Sequence, residues 1–177
     1  MIMSGLYKGR KLQTDTRSSL IRPTSGKVRE ALFSSLGPSL EGEAFVDLYS
    51  GSGAVGLEAL SRGACEAYLV ESHPQSWVLL QANCKSALGT DAAKARPVKL
   101  EAAAWCRRMV AEGKRFPYVF ADPPFQDDFS GLKDALLGVL APGGTAIIQY
   151  PTRNPPKWLE SASKLKNYGD SSLAFFT

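Results

Sequence analysis

The sequence is poor in the residues that build metal centres and disulfides. It contains one histidine, His73, and three cysteines, Cys65, Cys84 and Cys106, with no close pair among them. These counts exclude a histidine-based metal cluster and a disulfide framework. No apolar run approaches the roughly 20 residues of a membrane-spanning helix, and the first residues lack the apolar core of a signal peptide. We therefore expect a cytoplasmic protein with reduced thiols and no metal.

The composition is that of one compact domain, which we predict to cover residues 1–177. Of the 177 residues, 44% are hydrophobic and 21% are charged, with a formal net charge of +4. The charge is uneven, because residues 1–29 carry seven basic side chains and one acidic side chain. A basic segment on a near-neutral body favours a polyanionic partner such as nucleic acid. An ordinary solvated basic tail is the alternative.

The most informative stretch is FVDLYSGSGAVGLEAL, from Phe45 to Leu60. Its apolar start predicts a buried parallel strand, and the pattern after residue 54 predicts a helix. Between them, Gly51, Gly53 and Gly56 form G-x-G-x-x-G, which allows a tight turn and close approach of the backbone to a ligand. This spacing predicts a nucleotide-type binding loop, although small glycine-rich turns also occur as plain connections.

Two acids indicate the class of ligand. Glu71 follows the next apolar run and lies where a carboxylate can accept both hydroxyls of an adenosine ribose, in a dinucleotide or in S-adenosylmethionine. Asp47 lies inside the first predicted strand, where it would repel a pyrophosphate but attract an ammonium or sulfonium. We therefore favour S-adenosylmethionine. The alternative for Asp47 is a cap on the following turn.

Strand and helix patterns alternate with short loops, which predicts an α/β fold with a mostly parallel sheet. A basic arm over residues 1–22, with a short hairpin at Gly5 and Gly9, precedes a core over 23–177. Predicted strands cover 45–49, 67–71, 97–100, 117–121 and 145–150. Predicted helices cover 25–36, 54–62, 102–112 and 129–140, and one more begins at Pro74. A closing antiparallel hairpin is predicted over 164–176.

A second candidate site follows the fourth predicted strand, at Asp122-Pro123-Pro124-Phe125. The two prolines lack N–H groups, so this loop offers carbonyl acceptors beside the carboxylate of Asp122. Such acceptors can hold the two N–H bonds of an exocyclic base amine, and Phe125 can stack on a base taken out of its helix. The alternative is a rigid loop with a capping Asp and a core Phe.

Together these segments resemble the RsmD-like family of small-subunit ribosomal RNA guanine-N2 methyltransferases. The resemblance covers almost the whole chain. It rests on Ser4–Leu12, Arg22-Pro-Thr, Val28–Phe33, Asp47–Ala64, Asp122–Phe125 and Tyr168-Gly-Asp. It implies a Rossmann-like seven-stranded sheet, S-adenosylmethionine as methyl donor, and direct in-line transfer to a guanine amine held by residues 122–125.

The resemblance also implies a role for particular residues. Asp47 and the backbone of Gly51 and Gly53 would face the methionine part of the donor, and Glu71 the ribose. Glu101-Ala102 matches the adenine-contacting segment, which in the family usually carries Asp or Asn. The basic residues expected to grip RNA phosphates are Lys8, Arg10, Lys11, Arg22, Lys27 and Arg29, with Lys27 and Arg29 on exposed helical turns.

Three other functions remain open from the sequence. A DNA or protein amine methyltransferase could use the same Asp-Pro-Pro-Phe loop, although so short a chain leaves little room for a DNA-recognition segment. A nicotinamide-dependent oxidoreductase would share the glycine loop, but Asp47 and residues 122–125 argue against it. A catalytically idle RNA-binding scaffold is the third. We expect a monomer that acts on ribosomal RNA or on the small ribosomal subunit.

Overall fold

A computed structural model describes residues 1–14, 24–37, 39–124 and 131–177. Within these ranges the chain forms one sheet with helices on both faces. The helices are α1 (Gly26–Leu36), α2 (Ala54–Ser61), α3 (Pro74–Leu88), α4 (Ala102–Ala111) and α5 (Leu132–Gly138), with 3₁₀ turns at Gly89–Lys94 and Lys157–Ser161. The strands are β1 (Ala44–Leu48), β2 (Glu66–Val70), β3 (Ala95–Val98), β4 (Phe116–Ala121), β5 (Leu140–Pro151), β6 (Lys164–Tyr168) and β7 (Ser171–Phe176).

The sheet confirms the predicted fold class. Its strand order is β3-β2-β1-β4-β5-β7-β6. The first five strands in chain order pair in parallel, whereas β7 is antiparallel to both β5 and β6. The chain builds outward from β1 to β3 on one side and from β4 to β5 on the other. The order of strands therefore switches between β1 and β4, which is where ligands bind in open α/β sheets.

Each face of the sheet is closed by its own set of helices. One core contains Leu32 and Phe33 of α1 with side chains of α2 and α3. The other contains Trp105 of α4 and Leu136 of α5. Burial on both faces explains why the central strands are almost continuously apolar. Among the described residues, no helix is both long enough and apolar enough to span a bilayer.

The prediction of a helix over 129–140 is wrong at its carboxyl end. The described part of α5 ends at Gly138, and Leu140 is the first residue of β5, paired with Phe116. The apolar repeat alone could not show this, because Leu140 is taken into the sheet by its pairing with β4. A shift of register lies between the pair at Leu140 and the pair of Tyr118 with Thr145.

Residues 1–10 form a closed loop that pairs with no strand among the described residues, in place of the expected hairpin. The Ile2 amide donates to the Arg10 carbonyl at 2.9 Å, and the Gly9 amide donates to the Ile2 carbonyl at 2.9 Å. The loop packs on the end of α2, where a Cβ on Gly5 would lie 1.7 Å from the carbonyl oxygen of Ser61. Gly5, with a φ of +80°, therefore cannot be replaced without moving the loop.

Candidate active site

The loops that follow β1, β2 and β4 meet at one edge of the sheet. The Asp122 amide donates to the Leu48 carbonyl at 3.4 Å, and the Ser50 amide donates to the Val70 carbonyl at 3.0 Å. The glycine loop and the Asp-Pro-Pro loop are therefore neighbours. This juxtaposition follows from the parallel pairing of β1 with β2 and β4, because the carboxyl ends of parallel strands share an edge.

The glycines of the loop serve two different purposes. Gly51 and Gly53 adopt left-handed conformations, with φ of 53° and 79°, which glycine accepts without steric cost. Gly53 and Gly56 also let α2 pack closely. A Cβ on Gly53 would lie 2.6 Å from Leu80 Cδ1, and one on Gly56 would lie 2.5 Å from Leu69 Cδ2. The loop thus turns tightly and is pressed against β2 and α3.

Tyr49, directly before this loop, has a φ of +60°. Among the described residues it is the one non-glycine with a positive φ. A bulky residue in this region is strained, and such strain concentrates at ligand sites. The sequence showed no signal for it, since tyrosine is not a residue that favours this conformation.

Glu71 is fixed in place by two backbone amides. Its Oε2 accepts from the Gly51 amide at 2.8 Å, and its Oε1 accepts from the His73 amide at 2.7 Å. The side chain is 9% exposed. The carboxylate thereby ties the loop after β2 to the glycine loop, and each of its oxygens retains a further lone pair for a ligand hydroxyl.

Asp47 is a buried carboxyl in the middle of the site. It is 1% exposed, and its Oδ2 accepts from the Gly56 amide at 2.9 Å. This contact is a turn cap, the alternative role expected for Asp47. Burial raises the pKa of Asp47 to about 8; the Gly56 hydrogen bond opposes that rise, and the negative charges of Asp122 and Glu71 add to it. Three carboxyl groups thus influence one another at this edge of the sheet.

Asp122 is oriented by a residue from a distant part of the chain. The Thr24 hydroxyl Oγ1 donates to Asp122 Oδ2 at 2.8 Å. Thr24 directly precedes Ser25, which caps α1 by accepting from the Val28 amide. Sequence reasoning did not assign Thr24 to the site, and its one signal was the resemblance carried by the Arg-Pro-Thr segment.

The other predicted residues of this loop have different surroundings. Pro123 is buried and Pro124 is exposed. Phe125 lies outside the described residues, so its stacking role stays a prediction.

Asn83 is a second residue that sequence reasoning missed. It lies on α3 with no exposed surface. Its Oδ1 accepts from the Gln13 amide at 2.8 Å, and its Nδ2 donates to the carbonyls of Gln13 and Ser52, each at 2.9 Å. Both backbone groups of Gln13 are therefore satisfied by the side chain that also holds the glycine loop. Asn83 thus joins the amino-terminal segment to the candidate site.

Glu101 acts as the cap of α4. Its two carboxylate oxygens accept from the amides of Ala103 and Ala104 at 2.9 and 2.8 Å. Glu101 is exposed, whereas Ala102 is 3% exposed. Capping accounts for the acid at this position, and a contact with adenine stays a prediction.

The expectation that Arg29 lies on an exposed turn is wrong. Arg29 is 7% exposed, its Nη2 donates to the Met1 carbonyl at 2.8 Å, and its Nε lies 3.7 Å from Glu58 Oε2. Glu58 is fully buried and also pairs with Arg62 at 3.0 Å. A buried guanidinium needs such a partner, and the helical pattern of α1 alone could not reveal a carboxylate supplied by α2.

The remaining basic residues lie in several places. Lys8, Lys11 and Lys27 are exposed, and Arg22 lies outside the described residues. The Arg10 guanidinium lies over the Tyr7 ring, 4.9 Å from its centroid, and donates to the Ala87 carbonyl near the end of α3. Helices that follow parallel strands run back across the sheet. Arg10 therefore lies towards the edge opposite the candidate site.

Solved structures with the same fold include methyltransferases. A putative methyltransferase from Escherichia coli superposes with a TM-score of 0.79 and 30% identity, covering 98% of this chain and 94% of that one. A hypothetical protein from Thermus thermophilus gives a TM-score of 0.82 and 31% identity, over 99% and 97% of the two chains. The fold and the paired loops define a Rossmann-like methyltransferase.

The chain belongs to the family described as conserved hypothetical protein 95, whose model matches residues 1–177. It is 36% identical over 143 residues to the ribosomal RNA small subunit methyltransferase D of Escherichia coli, covering 81% of this chain and 67% of that protein. It is 34% identical over 129 residues to a putative rRNA methyltransferase of Bacillus subtilis, covering 71% and 67%. The family resemblance noted from the motifs is confirmed, and the protein is a methyltransferase of the methyltransferase D family.

Proposed function

We propose that this protein transfers a methyl group from S-adenosylmethionine to the exocyclic N2 amine of a guanine in small-subunit ribosomal RNA. The observation that supports this most directly is the gathering of Asp47, Glu71 and Asp122 at the strand ends beside the glycine loop. Relatives whose names specify small-subunit ribosomal RNA methylation support the class of acceptor.

The carboxyl groups fit a cationic donor better than a phosphate. A buried carboxyl beside two other acids is held towards its neutral form, as the pKa of about 8 for Asp47 expresses. A cation would favour ionisation of Asp47, whereas a pyrophosphate would add to the repulsion. S-adenosylmethionine carries an ammonium and a sulfonium. When bound, it would supply an electrophilic methyl group: a bond from the amine nitrogen to the methyl carbon would form as the bond to sulfur breaks, leaving neutral S-adenosylhomocysteine, and the methylated amine would then lose one proton.

The residues of the donor site have distinct proposed roles. Asp47 and the backbone of Gly51 and Gly53 face the methionine part. Glu71, already oriented by the Gly51 and His73 amides, accepts from the ribose hydroxyls. Ala102 lines the adenine end, and Glu101 contributes there chiefly by capping α4.

The Asp-Pro-Pro loop holds the acceptor. The carboxylate of Asp122 and the carbonyl of Pro123 accept the two N–H bonds of the guanine amine, which aligns the nitrogen with the methyl group. Thr24 fixes one oxygen of Asp122, so the orientation exists before the base arrives. Phe125 is proposed to stack on the flipped base.

RNA contacts are proposed for the exposed lysines. Lys8, Lys11 and Lys27 point into solvent and are available to phosphates, and Arg22 remains a candidate from its sequence position. Arg10 can contribute at the far edge of the sheet. Arg29 is not included, because its guanidinium is buried and pairs with Glu58 inside the protein.

The test is a transfer assay with labelled S-adenosylmethionine. Small ribosomal subunits, naked ribosomal RNA, transfer RNA, DNA and protein are offered separately, and the labelled product is digested to nucleosides. The expected product is N2-methylguanosine from the small subunit or its RNA. Label in DNA, in protein or on another base would refute the proposal. The position of the modified guanine follows from mapping the same product.

A further inference from the structure

Gln149 carries a buried acceptor that no other group among the described residues uses. It lies near the carboxyl end of β5 and is 5% exposed. Its Oε1 is enclosed and makes no hydrogen bond within the part of the chain that the structure describes. Burying an amide oxygen without a partner costs folding free energy, and such atoms are rare in folded proteins. This acceptor, at the strand end beside the candidate site, is therefore available to a ligand.

Strand pairing places this residue beside the Asp-Pro-Pro loop. The last parallel pair between β4 and β5 is Ala121 with Ile148. The next residues after this pair are Asp122, directly beyond the end of β4, and Gln149 on β5. Since neighbouring strands lie about 4.8 Å apart, the backbone of Gln149 lies about one strand spacing from the backbone of Asp122, the residue proposed to hold the substrate amine.

Gln149 and Asp122 also share a face of the sheet. Side chains alternate along a strand, so Gln149 points to the same side as Ile147, and Asp122 to the same side as Phe120. Ile147 and Phe120 pair with each other and belong to the core beneath α1. This is the face from which Thr24 reaches Asp122.

The Watson–Crick edge of guanine fits two adjacent acceptor groups. It presents the N2 amine and, next to it, the N1–H, and both are donors. Adenine presents an acceptor at its N1. With the amine held by Asp122 and Pro123, a further acceptor one strand away matches the N1–H. The terminal torsion of glutamine is broadly two-fold, so the amide can turn its carbonyl towards an arriving base.

We propose that the side chain of Gln149 accepts the N1–H hydrogen bond of the target guanine and so selects guanine at this site. The proposal rests on the proposed function. It extends that function by naming a residue that distinguishes guanine from bases that share its exocyclic amine.

The first test needs no variant. Small-subunit RNA is prepared with 2-aminopurine at the mapped position, because this base keeps the N2 amine and has an acceptor at N1. The wild-type protein is expected to methylate guanine with a kcat/KM about 10- to 100-fold higher, as for the loss of one hydrogen bond to a buried group. Equal values for the two bases would overturn the proposal.

The second test removes the acceptor. Gln149→Leu, with Gln149→Met as a second apolar variant of similar length, should lose most of the preference for guanine over 2-aminopurine. The affinity for S-adenosylmethionine should remain, and the Tm should stay equal or rise, because the orphaned acceptor is gone. A variant that keeps the wild-type preference would overturn the proposal.

Ser172→Ala provides the matched control. Ser172 is 2% exposed, lies on neighbouring β7, and shares a 2.8 Å hydrogen bond with Thr152. Its loss should lower the Tm and leave the base preference unchanged. Methylation of another base by the wild-type protein would refute the proposed function itself. Preference retained by Gln149→Leu on a mapped guanine would refute this inference alone.

Discussion

Replacing Asp47 by Asn should stabilise the ligand-free protein at alkaline pH. The amide keeps an oxygen that can accept from the Gly56 amide, as Asp47 Oδ2 does at 2.9 Å, and it removes the buried charge. Burial raises the pKa of the Asp47 carboxyl from 3.8 in the unfolded chain to about 8 in the folded protein. The folded state therefore binds the proton more tightly than the unfolded state does.

The sign of the pH dependence follows from this difference. The contribution of Asp47 to stability is fully present below the unfolded pKa of 3.8 and is lost as the pH rises through the folded value of about 8. Each unit of pH within that window corresponds to about 1.4 kcal/mol. The full loss is at most about 6 kcal/mol, which is large beside a typical domain stability of roughly 5–15 kcal/mol.

Urea unfolding of the wild-type protein and of Asp47→Asn at half-unit steps from pH 5 to pH 9 measures this effect. At pH 5 the variant should already be more stable by up to about 1.6 kcal/mol, and this difference should grow with pH up to about 8 and then level off. The control is Asp134→Asn, which changes an exposed acid on α5. Its free energy of unfolding should differ from that of the wild type by the same amount at every pH in this range. If the difference in the free energy of unfolding between Asp47→Asn and the wild type were also the same at every pH, the carboxyl of Asp47 would not be a buried, destabilising group.

The same carboxyl should link donor binding to pH. A cation beside Asp47 favours its ionised form, so binding of S-adenosylmethionine should release protons and strengthen from pH 6 to pH 8. Calorimetry in buffers of different ionisation enthalpy measures the released protons. In Asp47→Asn the affinity should fall by about tenfold or more, and the pH dependence should flatten. An unchanged pH dependence would place the cation elsewhere.

Substitutions at Asp122, Glu71 and Thr24 test the site, and a fourth change, at Lys8 and Lys11, tests the RNA contacts. Asp122→Ala, which removes the acceptor, should abolish methyl transfer and leave donor affinity nearly intact, measured by calorimetry beside the transfer assay. Glu71→Gln should weaken donor binding by about 1–3 kcal/mol, because a charge-assisted ribose contact is lost. Thr24→Val should lower kcat about tenfold through misorientation of Asp122, and Thr24→Ser, which keeps the hydroxyl, should restore it. Neutralising Lys8 and Lys11 together should weaken RNA binding and reduce its salt dependence by up to about two units of slope.

Each of these variants has an outcome that would contradict its reasoning. Equal loss of transfer and donor binding in Asp122→Ala would contradict the proposed role of Asp122 in holding the substrate amine. Unchanged donor affinity in Glu71→Gln would leave Glu71 a purely structural tie between loops. Equal kcat for Thr24→Val and wild type would make the hydroxyl contact incidental. An unaltered salt slope would take the two lysines out of the RNA interface.

Most of the architecture could be predicted because it is encoded in local patterns. Pro74 begins α3 and Gly89 follows its last residue, as the sequence signals indicated. The strand patterns were correct to within one or two residues for β1, β2, β3 and β4. The error at Leu140 shows the limit, since a residue on a helical repeat was drawn into β5 by pairing with Phe116.

The sequence by itself determined the chemical groups at the site: the glycine turn, the acids at positions 47, 71 and 122, and the prolines, which have no N–H group. All of these lie within short stretches of chain. The tertiary structure decided how these groups are held. Thr24 reaches Asp122 across 98 positions, Gln13 meets Asn83 across 70, and Arg29 is buried because α2 supplies Glu58. Such contacts depend on how distant segments pack together. The local sequence around a residue therefore does not identify its partner in the folded protein.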